Sequence, residues 1–260
     1  MPGNQGGYKM TTKRSGARVL PACLCLLFGT TAIAQDKPAE VYVYSTYHYC
    51  DFSGQDRADE IFQQLQKPAS EAAIKDGTIS SYGWLSHQTG GKWRRADYFT
   101  AGSVQGLLDA QKKMNSAEDA KSRKLNAEFG GICPSHEDYI WRRVAGNIGT
   151  AARGGASFST YYVCDQGRES QVDAIVASAV GPILDKMVAD GKLMTWGWNE
   201  HIVGGDYRRL ATISAADVKT LLEARDAFVE AVESSPAGEM MTDICPSHAD
   251  YIWEIKSQAP

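Results

Sequence analysis

Several things are missing from this 260-residue sequence, and each absence excludes something. There is no surplus of basic charge: 27 Lys and Arg stand against 31 Asp and Glu, a formal charge of −4, so nucleic acid is not an expected partner. No apolar stretch approaches the roughly 20 residues that a membrane-spanning helix needs. No paired carboxylates, glycine-rich phosphate loop, Ser/His/Asp grouping or nucleophilic cysteine stands out, so no catalytic signature announces a reaction. With 43% hydrophobic and 10% aromatic residues, the composition is that of an ordinary globular protein. It excludes a disordered chain, a collagen-like repeat and a coiled-coil rod.

Acidic residues are also missing from positions 1–34, which carry Lys9, Lys13, Arg14 and Arg18. A short apolar run from Val19 to Phe28 follows, and then the small residues Gly29-Thr30-Thr31-Ala32-Ile33-Ala34. This order reads as a secretory signal peptide over 1–34, cut near Ala34. Cys23 follows Leu20-Pro21-Ala22, loosely like a lipoprotein box, but it precedes the apolar stretch, which argues against lipidation. Removing the four basic residues leaves 23 against 31 acidic ones, a formal charge of −8. The expected mature protein is periplasmic or secreted, has no membrane span and keeps four cysteines: Cys50, Cys133, Cys164 and Cys245.

One unit is written twice. A shift of 114 residues lays Cys50-Asp51 on Cys164-Asp165, Pro68 on Pro182 and Asp76-Gly77 on Asp190-Gly191. The same shift aligns Gly83-Trp84 with Gly197-Trp198, His87 with His201, Gly90-Gly91 with Gly204-Gly205 and Arg94-Arg95 with Arg208-Arg209. After a two-residue slip, the stretch from Ile132-Cys133-Pro134-Ser135-His136 to Tyr139-Ile140-Trp141 meets Ile244-Cys245-Pro246-Ser247-His248 to Tyr251-Ile252-Trp253. Chance does not repeat Trp, Cys and His together at one offset. The expected organisation is a tail over 35–39, a first unit over 40–144, a glycine-rich linker over 145–157 and a second unit over 158–257.

Each unit begins with a Tyr/Val/Thr-rich strand (41–50 and 158–164). A helix follows (56–76 and 170–190), interrupted near Pro68 or Pro182 and closed by glycine. Next come two strands around a double glycine, 79–87 with 93–99 and 193–201 with 207–213. A second helix starts near Ser103, and its counterpart follows a capping box at Ser214-x-x-Asp217. Apolar segments over 139–144 and 251–255 supply a last strand. The order β-α-β-β-α-β is that of a ferredoxin-like unit. The chain therefore resembles a tandem-duplicated member of the dimeric α+β barrel group. That resemblance implies an α+β fold in which two ferredoxin-like repeats pack sheet to sheet as a pseudo-dimeric barrel around a central cavity. It implies no particular activity.

In that topology the first and last strands of each unit are antiparallel neighbours. Cys50 then lies near Cys133, and Cys164 near Cys245, and the repeat favours these pairings among the three possible. Each bridge would close a loop of about 80 residues and add about 4–5 kcal/mol on the chain-entropy model. The rival is a metal site made of His48, Cys50, Cys133 and His136. The second unit has Tyr162 in place of His48, so disulfides are preferred, no metal is expected, and His136 and His248 are loop residues beside the bridges.

Strand alternation places Tyr82 and Trp84 on one face and Gly83 on the other, and likewise Trp196 and Trp198 against Gly197. With the glycines admitting a helix, the four rings would meet between the sheets, either as packed core or as the wall of an apolar pocket. His87 and His201, followed by Arg94 and Arg208, could hold an anion or act as acid and base at the barrel mouth, or simply pin the hairpin turns. The leading expectation is an exported, monomeric, non-catalytic protein that is structural or binds a small apolar or aromatic ligand, with no cofactor. The alternatives are a cofactor-light, monooxygenase-like or haem-handling enzyme using a hairpin histidine, and an interaction module with pairing edge strands.

Overall fold

The computed structural model describes residues 40–116, 119–147 and 153–259. The expected signal peptide and tail lie outside these residues, as do positions 148–152 of the expected linker. The first half of the chain runs β1 (Tyr42–Tyr49), α1 (Gln55–Gln64), α2 (Gln66–Lys75), β2 (Ser81–Gly90), β3 (Arg95–Ala101), α3 (Val104–Asn115), α4 (Ala120–Ile132) and β4 (Ser135–Gly146). The second runs β5 (Ala156–Val163), α5 (Glu169–Ile175), α6 (Gly181–Ala189), β6 (Thr195–Val203), β7 (Arg209–Ala215), α7 (Val218–Val232), α8 (Pro236–Ile244) and β8 (Ser247–Ala259).

The helix interruptions follow from the prolines. Pro68 sits in the first turn of α2, where its missing N–H costs nothing, and the helix breaks just before it at Leu65. Before Pro182, in the first turn of α6, the chain passes through a π-helical turn over Val176–Val180. Two helices separate the third and fourth strands of each half where the sequence reading expected one. The added helices have their own caps: Asp119 accepts from Ser122 N at 2.7 Å, and Ser235 accepts from Gly238 N at 3.1 Å. The cap of α7 is Asp217, which accepts from Thr220 N, whereas Ser214 belongs to β7.

All neighbouring strands are antiparallel, and the order β1-β3-β2-β8-β5-β7-β6-β4 closes into an eight-stranded barrel. This corrects the expectation of two ferredoxin-like sheets packed face to face, because the sheet is continuous. The last strands explain the difference. With 12 and 13 residues, β4 and β8 run well beyond the short segments expected of them. They reach across to pair with β6 and β2, with register shifts that bend them round. Closure leaves no free strand edge, which removes the basis for an edge-pairing interaction module.

One face of the barrel looks inward and the other carries the helices. Tyr47 on β1 meets Tyr161 on β5, a strand that is not its neighbour, with ring centroids 5.3 Å apart, so both rings lie inside the barrel. Trp93 stacks between Tyr47 and Tyr251 at 4.2 and 4.9 Å. Tyr139 stacks on Trp141, and Tyr251 on Trp253. Each such pair contributes about 0.5–1.5 kcal/mol beyond its area burial. This aromatic cluster plugs one end of the barrel.

Cys50–Cys133 and Cys164–Cys245 form disulfides. Register places them: Tyr49 faces Ser135, and Val163 faces Ser247, so the cysteines follow just past the paired strand ends. Two disulfides fit an extracellular or periplasmic protein. The thiolates that a metal site would require are committed, and no cluster of three or more His, Cys, Asp or Glu ligands occurs among the described residues. No helix among those residues is long and apolar enough to cross a membrane.

Candidate ligand-binding cavity

Tyr82, Trp84, Trp196 and Trp198 share a face as expected, but it is the helix face and not the barrel interior. On that face three indole N–H groups find carboxylate acceptors on the helices. Trp84 Nε1 donates to Asp59 of α1, Trp198 Nε1 to Asp173 of α5 and Trp196 Nε1 to Asp185 of α6, each at 2.7 Å. The glycines face inward instead. A Cβ on Gly83 would fall 2.2 Å from the Tyr98 ring, and one on Gly197 would lie 3.2 Å from the Arg143 guanidinium carbon.

The same aspartates hold buried arginines. Arg95 Nε and Nη2 donate to the two oxygens of Asp59 at 2.6 and 2.9 Å, and Arg209 makes the same fork with Asp173 at 2.8 and 2.7 Å. Arg95 is 3% exposed and Arg209 2%. The sequence reading missed Asp59 and Asp173, although the two aspartates also align at the 114-residue offset.

Beneath this shared frame the halves differ. In the first half Phe62 stacks on Trp84 with centroids 4.5 Å apart, and His48 meets Phe129 edge-on at 5.3 Å. Leu125 of α4 is buried as well, and Phe129 packs against the buried cluster that holds Phe62 and Trp84. At the equivalent positions the second half has Val176 for Phe62, Ala237 for Leu125 and Met241 for Phe129. A cavity of about 310 Å³ opens between the outer face of β5, β6 and β7 and helices α7 and α8. Trp196, Trp198, Ile213, Phe228 and Met241 line it. Its polar lining includes Arg225, Glu233, His248 and Asp250. The Arg225 guanidinium lies 4.8 Å over the Phe158 ring. Tyr162, also lining the cavity, has its phenol pushed up to about 12 by burial and then by the charge of Asp250, so it stays protonated at neutral pH.

The hairpin histidines lie elsewhere. Arg94 Nη1 donates to His87 Nδ1 at 3.0 Å, and Arg208 Nη1 donates to His201 Nδ1 at 2.8 Å. In His87 that places the proton on Nε2, which faces the Gly90 carbonyl at 3.3 Å. Burial lowers both imidazole pKa values, and the adjacent arginines lower them further, so both rings are neutral at pH 7. Arg208 also pairs with Glu169 at 2.7 Å. His87 lies edge-on to Tyr251 and Trp253, and His201 to Tyr139 and Trp141, beside the aromatic plug. Of the residues singled out from sequence, the structure therefore gathers Trp196 and Trp198 at the cavity. It leaves Tyr82 and Trp84 in the first half, and His87, His201, Arg94 and Arg208 at the hairpins.

No protein-family model matches the sequence, and no curated protein matches it. Solved structures do share the fold. A candidate monooxygenase from Lactobacillus acidophilus NCFM superposes with a TM-score of 0.57 at 7% identity, over 85% of this chain and 96% of that one. An anthrone oxidase-like protein gives 0.52 at 12% identity, over 85% and 93%. A chlorite dismutase variant from Candidatus Nitrospira defluvii, in complex with cyanide, gives 0.51 at 7% identity, over 84% and 91%. At these identities the likeness is one of architecture, and what this chain shares with them is a closed α+β barrel.

Proposed function

We propose that this protein binds a small apolar, aromatic-sized molecule between its second-half sheet and helices α7 and α8. The observation that carries this reading is the asymmetry of the duplication. The frame of Asp, Arg and Trp is kept in both halves, while Phe62 and Leu125 of the first half give way to the smaller Val176 and Ala237 in the second. Were the site only core, the vacated space would have no use and its walls would forfeit van der Waals contacts. Trp196 and Trp198 supply flat apolar walls, and Arg225, His248 and Asp250 can orient a ligand's polar edge. On this reading the barrel is two fused ferredoxin-like halves acting as a monomer. It is exported after cleavage near Ala34, with the disulfides formed in the periplasm or outside the cell.

A monooxygenase-like enzyme is the second reading, and one observation favours it: His248 lines the same cavity with its Nε2 3.5 Å from Asp250 Oδ2. This pair, and not His87 or His201, would move protons on a bound ligand. A haem does not fit the donor set. His248 is the one imidazole lining the cavity among the described residues, its side chain is 49% exposed, and its Nε2 is turned to a carboxylate.

The test uses a neutral probe, N-phenyl-1-naphthylamine, followed by its fluorescence and by tryptophan quenching. Wild type should bind it saturably. The variant Val176→Phe/Ala237→Leu/Met241→Phe, which copies the first half, should stay folded and lose that binding. Equal binding by the filled variant, or no saturable binding by wild type, would overturn the reading.

A further inference from the structure

A second cavity, of about 50 Å³, lies inside the barrel beyond the aromatic plug, bordered by residues of both halves. It lies on the other face of the sheet from the apolar cavity, with Thr212 bordering both, and its lining is of another kind. Two arginines, Arg143 and Arg153, face it together with the buried residues Ser45, Ser159 and Asn199.

Neither arginine has a carboxylate partner among the described residues. Arg143 Nε donates to Asn199 Oδ1 at 3.0 Å, and its two terminal nitrogens have no acceptor among those residues. The Arg153 guanidinium rests 4.5 Å over the Tyr98 ring and makes no hydrogen bond to a described residue. Asp97 borders the cavity, but its carboxylate is committed to His48 Nε2 at 2.7 Å on the helix side of the sheet. Trp141 borders the cavity as well, fully buried, and its indole N–H lacks an acceptor. Like charges drawn into a barrel beside an unused N–H are costly unless something negative meets them. Burial, reinforced by the nearby Arg153 charge, pulls the Arg143 pKa down to about 10, so that side chain is still cationic at neutral pH.

The internal repeat shows that the barrel does not need these groups. Arg143 stands where the second half has Ile255, Asn199 where the first half has Leu85, and Ser157 where it has Val43. These three departures from the repeat converge on one spot, and each sets a polar side chain where the other half has an apolar one. Asn199 is held in one orientation, because its Nδ2 donates to the Leu210 carbonyl at 3.0 Å and so turns its Oδ1 to hold Arg143.

We propose that this interior cavity binds a small oxyanion, gripped by the free guanidinium edges of Arg143 and Arg153 and by Trp141 N–H. A volume of about 50 Å³ takes an anion the size of phosphate or acetate and excludes a nucleotide. Guanidinium forks match the paired oxygens of either one.

The experiment is a thermal-shift and calorimetric titration of the disulfide-bonded protein at constant ionic strength, replacing chloride with inorganic phosphate or with acetate. Wild type should bind at least one of the two saturably in preference to chloride, and the preferred one tells tetrahedral from planar chemistry. Arg153→Gln should weaken binding about tenfold or more. Arg143→Ile, which installs the residue the other half already uses at that position, should fold normally and do the same. Both should bind N-phenyl-1-naphthylamine as wild type does, which separates this site from the apolar cavity. Absence of any preference over chloride in wild type, or unchanged anion affinity in both variants, would overturn the proposal.

Discussion

Removing the Asp173 carboxylate should cost about 3–4 kcal/mol of stability. Arg209 is 2% exposed, and Asp173 accepts two of its hydrogen bonds and the one from Trp198. Breaking a buried, hydrogen-bonded ion pair from one side costs about 3–5 kcal/mol, since the surviving charge is left behind. The stranded indole N–H adds about 1 kcal/mol or more. Two facts moderate the sum. Glu169 Oε2 remains 3.1 Å from Arg209 Nη1, and the Asp173 side chain is 18% exposed, so water can enter the gap. Against the roughly 5–15 kcal/mol that holds a typical protein folded, Asp173→Ala should bring a large fall in the urea midpoint. Near-ultraviolet circular dichroism should report the loosened Trp198. The control is Asp173→Leu/Arg209→Met, which should recover at least half the loss because no charge is stranded. A loss below about 1 kcal/mol for Asp173→Ala at unchanged m would refute the assignment of this triad as the clamp between helix and sheet.

The disulfides and the hairpin histidines give further predictions. The cysteines of the second bridge are 81 residues apart, so Cys164→Ala/Cys245→Ala should lower stability by about 4.5 kcal/mol in non-reducing urea titrations. Cys50→Ala/Cys133→Ala, at a separation of 83, should match it within about 1 kcal/mol. His87 and His201 have folded pKa values below the unfolded value of about 6.5. The unfolded chain therefore binds their protons first, and the contribution of the neutral rings is complete above about pH 6.5 and lost as the pH falls toward the folded values. Denaturation midpoints measured from pH 7.5 to 5 should fall with pH, and His87→Gln/His201→Gln should flatten that slope.

Both bridges could be placed from sequence because they depend only on strand neighbours. The helix breaks were visible in Pro68 and Pro182, and the grouping of Tyr82 with Trp84 followed from alternation alone. What alternation cannot give is the sign of the face. A half-buried strand shows period two whichever side holds the core, and in this barrel both sides are buried. The deciding feature was long-range: each Trp84-type indole needs an acceptor, and Asp59, 25 residues earlier, supplies it. The closure of the barrel was hidden for a related reason. The pairings of β2 with β8 and of β4 with β6 join segments that are far apart in the chain, and the polar ends of β4 and β8 carry little apolar signal. The cavities were hidden as well, although the repeat that reveals them was in view. Matches between the halves locate the frame, and it is the mismatches that locate the space.

Duplication makes that distinction physical. In a symmetric pair of halves, any side chain required for folding is required twice, and the Asp–Arg–Trp clamps, the bridges and the His–Arg hairpin contacts are all present twice. A residue present in only one half is released from that constraint. The partner half shows that the fold can be built with Ile255 in place of Arg143, or with Phe62 in place of Val176. Enlarging an apolar space and placing cations in a barrel both work against stability, by lost contacts in one case and by desolvated charge in the other. A general relaxation of packing would scatter such changes over the whole barrel. Here Val176 and Met241 line one cavity, with Ala237 packed against the cluster around it, and Arg143, Asn199 and Ser157 line another, on opposite sides of one sheet. On the two proposals each departure is balanced by its occupant: an apolar guest supplies the missing contacts and an anion the missing charge.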